Sequence, residues 1–203
     1  MTDSTPSPER PNPLSRADAL GSALRDALDH VDARGWDQPP EIFALVPTAV
    51  LAAEHPQLVD PADRSALSVI AQEPLPVASG EEPHAALEEF LATAAWPPVV
   101  EGAAVVLDIV VLPPDARSSL DAASGPLTDP DVAASAAVTA ARTHPDARTA
   151  RLAVGVLRDG TRLSLMYLRP GPDDDPDAPK ELLTHPELAT ALQEGLARTF
   201  DSL

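Results

Sequence analysis

The chain has 203 residues, of which 32 are acidic and 14 basic, for a formal charge of −18, and it contains no cysteine. That balance repels phosphate backbones and anionic lipid at long range, so nucleic acid and membrane surfaces are not expected partners, and the missing thiols exclude disulfides, thiolate nucleophiles and cysteine-ligated zinc or iron–sulfur sites. Apolar residues make up 44% but aromatic ones only 3%, so an interior of one-domain size has to be built from aliphatic side chains.

Residues 1–13 (MTDSTPSPERPNP) are polar and proline-rich and bury too little to offset ordering, which predicts a disordered tail. The tail lacks the apolar stretch of a secretory signal, and the longest apolar run, 102–112, is broken by Asp108 and too short to span a bilayer. A cytoplasmic location is the expectation. Leu20, Leu24, Leu28 and Val31 then share one helical face beside Ala23 and Ala27. With Ser15 as N-cap and Gly35 as stop, the spacing predicts a helix over 15–34. In GWDQPPEIFALVPT the pair Pro39-Pro40 excludes helix, so 41–46 reads as a strand ended by Pro47, with Thr48 capping a short helix over 49–54.

Residues 57–65 read as loop and 67–72 as a second strand. After a linker over 76–82, Pro83 suits the first turn of a helix whose apolar stripe is Leu87, Phe90, Leu91, Ala94 and Ala95, ended by Trp96-Pro97-Pro98. The stretch 103–112 (AAVVLDIVVL) is apolar on both faces except at Asp108, which places it near the centre of a sheet covered on both sides. Residues 113–128 read as loop, and Asp129-Pro130 is expected to open an alanine-rich helix running to about residue 143.

In RLAVGVLRDGTRLSLMYL (151–168), Asp159-Gly160 is the preferred two-residue hairpin turn. That register puts Leu152, Val154 and Val156 on one face with Leu163, Leu165 and Tyr167. It puts Ala153, Gly155 and Leu157 on the other with Arg162, Ser164 and Met166, a small-residue face on which a helix can sit closely. The acidic, proline-rich stretch 169–184 reads as loop, and Pro186 starts a last helix with Leu188, Leu192, Leu196 and Phe200 on one side. Strands and helices mix without strict βαβ alternation. The pattern predicts an α+β fold: a mostly antiparallel sheet of about five strands packed with about four main helices, one domain over 14–203.

Motifs that carry chemistry are sparse. The chain has no G-x-S-x-G elbow and no glycine-rich phosphate cradle, and its sole lysine, Lys180, sits in the acidic loop. The run 173–177 (DDDPD) lacks the glycine and the closing glutamate of a calcium loop and reads as a solvated charge run. Glu81, His84 and Glu88 recur at helical spacing and could ligate a borderline metal, but His84 shares its side with Leu87 and Leu91, so a histidine at the margin of the core is the plainer reading. Asp108, alone in an apolar strand, needs a partner or its pKa rises; Arg162 is the expected partner, in a structural rather than a catalytic pair. Trp36 and Trp96 each stand where a helix gives way to an extended segment. They close the ends of the core or, with Asp37 and Gln38, anchor an interaction surface.

Three stretches, GWDQPPEIFALVPT, WPPVVEGAAVVLDIVVLPP and the VLRDG hairpin with its acidic loop, together resemble an uncharacterised family of acidic, Ala/Pro-rich proteins of GC-rich actinobacteria. The resemblance implies a soluble intracellular protein and supplies no activity, cofactor or catalytic residue. Two functions stay open. One is non-catalytic protein–protein contact without a cofactor, as an adaptor, chaperone-like or regulatory subunit whose acidic surface selects basic partners. The other is a hydrolytic enzyme using carboxylates with or without a metal, resting on Asp108, Glu81, His84 and Glu88. Homo-oligomerisation through a sheet edge or the small-residue face is open under either.

Overall fold

The computed structural model describes residues 13–76, 83–112, 143–171, 174–175, 179–185 and 187–201. Its elements are α1 (Pro13–Asp32), β1 (Glu41–Pro47), α2 (Thr48–Glu54), β2 (Leu67–Ala71), α3 (Pro83–Thr93), β3 (Gly102–Val111), β4 (Arg148–Leu157), β5 (Arg162–Leu168) and α4 (Thr190–Arg198). The strands form one sheet in the order β2-β1-β3-β4-β5, every neighbouring pair antiparallel. Among the described residues this is the expected α+β architecture, with five antiparallel strands and four helices. Of the tail expected over 1–13, residues 1–12 lie outside the described residues, as do residues 129–142 of the helix expected to run to 143.

The central strands β3 and β4 are apolar on both faces because both faces are covered. On one side α1 lays Leu20, Leu24, Leu28 and Val31 over Phe43, Leu45, Val106 and Ala153. On the other, Leu87 of α3 and Leu196 of α4 meet Ile42, Val105, Val154 and Val156. Each fully buried aliphatic side chain in these layers contributes about 1.5–3 kcal/mol. The close seat of α1 depends on Gly155: a β-carbon there would lie 2.8 Å from Leu20 Cδ1 and 2.9 Å from Leu24 Cδ2.

The hairpin register differs from the expected one by a single residue. Val156 pairs with Arg162 and Gly155 with Leu163, because the connection holds three residues rather than two. Gly160 N–H donates to Leu157 O at 2.9 Å, and Leu157 N–H donates to Thr161 O at 2.9 Å. Gly160 takes φ +90°, the left-handed residue that follows a turn in a three-residue hairpin. One residue of slip exchanges the faces of a strand. Leu163, Leu165 and Tyr167 therefore share the α1 face with Ala153 and Gly155, while Ser164 and Met166 lie beside Leu152, Val154 and Val156.

Other boundaries also move, and β4 begins at Arg148 rather than Arg151. Helix α1 begins at Pro13, ahead of Ser15, a first-turn position that costs proline no hydrogen bond. Helix α4 begins at Thr190 rather than Pro186, since Ala189 stands at φ +59° and breaks the turn before it. The stretch 169–184 is not all free loop: Leu183 and Met166 exchange N–H···O bonds of 2.7 and 2.9 Å along the outer side of β5. Among the described residues, no helix is long and apolar enough to cross a membrane.

Candidate functional site

Asp108 of β3 and Arg151 of β4 stand directly opposite each other across the sheet, on the face that carries α1. Each is the lone charge amid apolar strand neighbours, and the Arg151 residue is fully buried. Its guanidinium spends four of its five donors. Nε and Nη2 grip Asp108 Oδ1 and Oδ2 at 2.8 and 3.0 Å, Nη1 meets Asp32 Oδ1 at 2.5 Å, and Nη2 also donates to Gly35 O at 2.8 Å. The chain after α1 is shaped to supply these acceptors. Asp32 is the last helical residue, and Gly35 turns the backbone at φ +84°. Asp37 follows at φ +64°, a conformation that aspartate tolerates better than most residues, and its N–H donates to Asp108 Oδ2 at 2.8 Å.

Aromatic rings close the cluster. The Trp36 ring centroid lies 4.5 Å from the Arg151 guanidinium and 5.4 Å from that of Arg169, and Tyr167 meets it edge-on with the ring centroids 5.5 Å apart. The Tyr167 hydroxyl and Lys180 Nζ both donate to Asp32. Burial pushes the Asp32 carboxyl up, but hydrogen bonds from Lys180, Tyr167 and Arg151 outweigh it and hold it below the usual carboxylate range. The Tyr167 phenol moves up, through burial and through its bond to Asp32. Burial works against the charge on Arg151, yet Asp108 and Asp32 more than offset it, so the guanidinium is held charged. The arrangement is a neutralising clamp that joins the end of α1 to the sheet.

Beside it an open cleft of about 550 Å³ is bordered by Asp37, Gln38, Pro39, Asp108, Arg148 and Thr149. The structure thus brings Trp36, Asp37, Gln38 and Asp108 together. Both Asp108 oxygens face inward to Arg151 and the Asp37 N–H. The expected partner Arg162 is exposed and sits opposite Val156, at the end of β4 away from the rung that Asp108 shares with Arg151.

Trp96 is elsewhere. Its residue is only 7% exposed, its Nε1–H donates to Thr199 Oγ1 at 2.9 Å, and Phe90 and Phe200 pack against it at 6.0 and 6.4 Å. It belongs to the interior on the α3–α4 face, not to a surface, and Arg158 fixes its segment by donating to the carbonyls of Trp96, Pro97 and Val100 at 2.7–2.9 Å. Glu88 is exposed on α3, while Glu81 and the side chain of His84 lie outside the described residues. Among the described residues no three of His, Asp and Glu gather as metal ligands would.

Arg151, Asp32, Tyr167 and Lys180 are the members that sequence reasoning missed. The available signal was the solitary charge in each of two neighbouring apolar strands, 103–112 and 151–157, which can be buried together only if they meet.

A second cleft, of about 480 Å³, follows the outer side of β2 between α1 and the 58–65 loop, with Asp26, His30, Leu58, Asp60 and Asp63 among its walls. Burial and the charges of Asp29 and Asp63 push the Asp26 carboxyl up, against a smaller opposing effect of Arg25. Among the described residues no cation stands in ion-pair range of Asp26, Asp60 or Asp63.

A family model described as PPA1309-like protein matches residues 20–201. No curated protein and no solved structure matches the chain. The chain belongs to the PPA1309-like family, whose description carries no activity.

Proposed function

We propose that this member of the PPA1309-like family works by non-catalytic contact with a partner protein, as an adaptor, chaperone-like or regulatory subunit in the cytoplasm. One observation carries the reading: the ionisable groups are sorted. Those gathered inside are consumed by one another around Arg151, whereas the acids at the β2 cleft look outward and, among the described residues, form no salt bridge with the nearby Arg25 and Arg64. Such a surface speeds encounter with basic partners and disfavours acidic ones, and the effect is screened beyond about 8 Å at physiological salt. The single lysine among 14 basic residues supports the further reading of an origin in a GC-rich actinobacterium.

The test is to tag the protein at its native expression level, cross-link in cells, and purify at about 50 and about 500 mM salt. A stoichiometric partner at low salt that is lost at high salt is the expected result. A lone monomer by light scattering at low salt, with no cross-linked species, would overturn the reading.

The cleft beside Asp108 favours a second reading, carboxylate-assisted hydrolysis with the exposed Asp37 as the reactive acid. Turnover of chromogenic esters or phosphoesters by the wild type, abolished in Asp37→Asn, would establish it; equal rates in both proteins would remove it.

A further inference from the structure

A sheet margin leaves backbone donors and acceptors unpaired, and folds commonly cover or blunt it. At β5 the margin is partly covered, by the Leu183–Met166 bridge and by Thr184 Oγ1, which donates to Ser164 O at 2.9 Å. At β2 no described strand pairs on the outer side. Thr48 N–H donates to Ala66 O at 3.1 Å and Gln72 N–H to Ile42 O at 2.9 Å. The even-numbered residues therefore turn toward β1, and Leu67, Val69 and Ala71 direct their N–H and C=O groups outward. The second cleft runs along these groups. Its α1 side presents Asp26 and His30, and its opposite side Leu51 and Ile70.

We infer that β2 accepts an extended basic segment of a partner protein as a sixth strand, with arginine or lysine at every second position against Asp26 and Asp63 and aliphatic residues between them toward Leu51 and Ile70. The inference rests on the contact reading above and names the partner's chemistry. Strand addition supplies affinity through main-chain hydrogen bonds and specificity through alternate side chains. Charge complementarity selects the occupant. Burial pushes Asp26 up and repulsion from Asp29 and Asp63 adds to it, so a cation placed there meets a repulsion already present. A second copy of this chain fits poorly, because pairing two β2 strands about a two-fold axis would set the same acids of two chains of charge −18 against each other.

The probe is a short synthetic peptide alternating arginine with valine. Controls are a glutamate–valine counterpart and a version of the arginine peptide N-methylated at alternate amides. The full chain is titrated and followed by amide chemical shifts and fluorescence anisotropy. Binding should shift the amides of Leu67, Val69 and Ala71 and weaken about tenfold between about 50 and about 300 mM salt. It should fall about tenfold in the Asp26→Asn/Asp63→Asn double variant and vanish for both control peptides. The N-methyl peptide tests the edge without altering the protein, so the result does not depend on a variant folding. Equal binding of that peptide, shifts mapping elsewhere, no binding at low salt, or β2 amides already protected in the free chain by a dimer or by its own segments would each overturn the inference. A cross-linked partner that persists while the peptide fails removes the edge and leaves contact standing; a peptide that binds a protein with no cellular partner does the reverse.

Discussion

The sheet meets its acidic residues in two ways. At the central β3–β4 pair, Asp32 and Asp108 are drawn inside and matched by Arg151 and Lys180; at the β2 end, Asp26, Asp60 and Asp63 line an open cleft where Arg25 and Arg64 act on Asp26 and Asp63 without a salt bridge among the described residues. The residue type is the same and the difference lies in the neighbours. A carboxylate within the fold survives only with a partner and hydrogen bonds on its oxygens, so the inner acids fix the position of α1. Carboxylates at the surface carry no such obligation and leave their field to the solvent, where a partner can use it. Net charge alone does not say which acids belong to which class.

The comparison breaks most visibly at Arg151. Arg151→Ala leaves Asp108 without its cation and Asp32 with Lys180 alone, and should cost about 3–5 kcal/mol in urea unfolding. Arg151→Lys should recover only part of this, because a point ammonium cannot serve Asp108, Asp32 and the Gly35 carbonyl in one plane. A loss under about 1 kcal/mol for Arg151→Ala would mean that water reaches both carboxylates, and the two ends would no longer differ in kind. Next in size is Gly155→Val, which drives side-chain carbons into Leu20 and Leu24 and should cost about 1–3 kcal/mol, again by urea titration. It separates the contribution of helix seating from that of charge at the same face.

Much of this was legible in the sequence. The strands β1 and β3 and the helix α1 followed from apolar spacing and from proline and glycine punctuation, and the small residues around Gly155 correctly announced a close helix. The clamp was not legible, because it depends on the register between β3 and β4, which no short turn links. That register stands Arg151 opposite Asp108, whereas Arg162 pairs with Val156 near the other end of β3. The turn at Asp159-Gly160, of two residues or three, sets only which face of the sheet Arg162 takes. Lys180 and Asp32 lie 148 positions apart, a separation that no local pattern reports. Trp96 looked like Trp36 by its setting before prolines, yet Arg158 and Thr199 hold it inside while Trp36 remains half-buried between two guanidinium groups.

The pH dependence sharpens the contrast. Asp32 sits below the usual carboxylate range once folded, so its contribution is complete above its unfolded pKa of about 3.9 and is lost as pH falls through the lower folded value. Acid titration followed by the near-ultraviolet signal of Trp36 and Tyr167 should therefore show unfolding below about pH 4. Tyr167→Phe, which removes one of the bonds that lower Asp32, should move that midpoint toward higher pH.

At the other end the sign reverses, and the effect is smallest. Asp26 lies above its unfolded value, so its ionised form disfavours the fold near neutral pH and the penalty lifts as pH falls through the raised folded pKa. Burial is the largest cause, the charges of Asp29 and Asp63 add to it, and Arg25 opposes it. Asp26→Asn should then stabilise the chain at pH 7 by up to about 0.5 kcal/mol, since solvent screens an exposed carboxylate. The gain should shrink as the wild-type residue protonates. Parallel urea titrations of the two proteins at several pH values read this directly. A loss of stability at pH 7 in Asp26→Asn would show that Asp26 is matched by a cation within the chain, as Asp32 is, and would erase the distinction between the two ends.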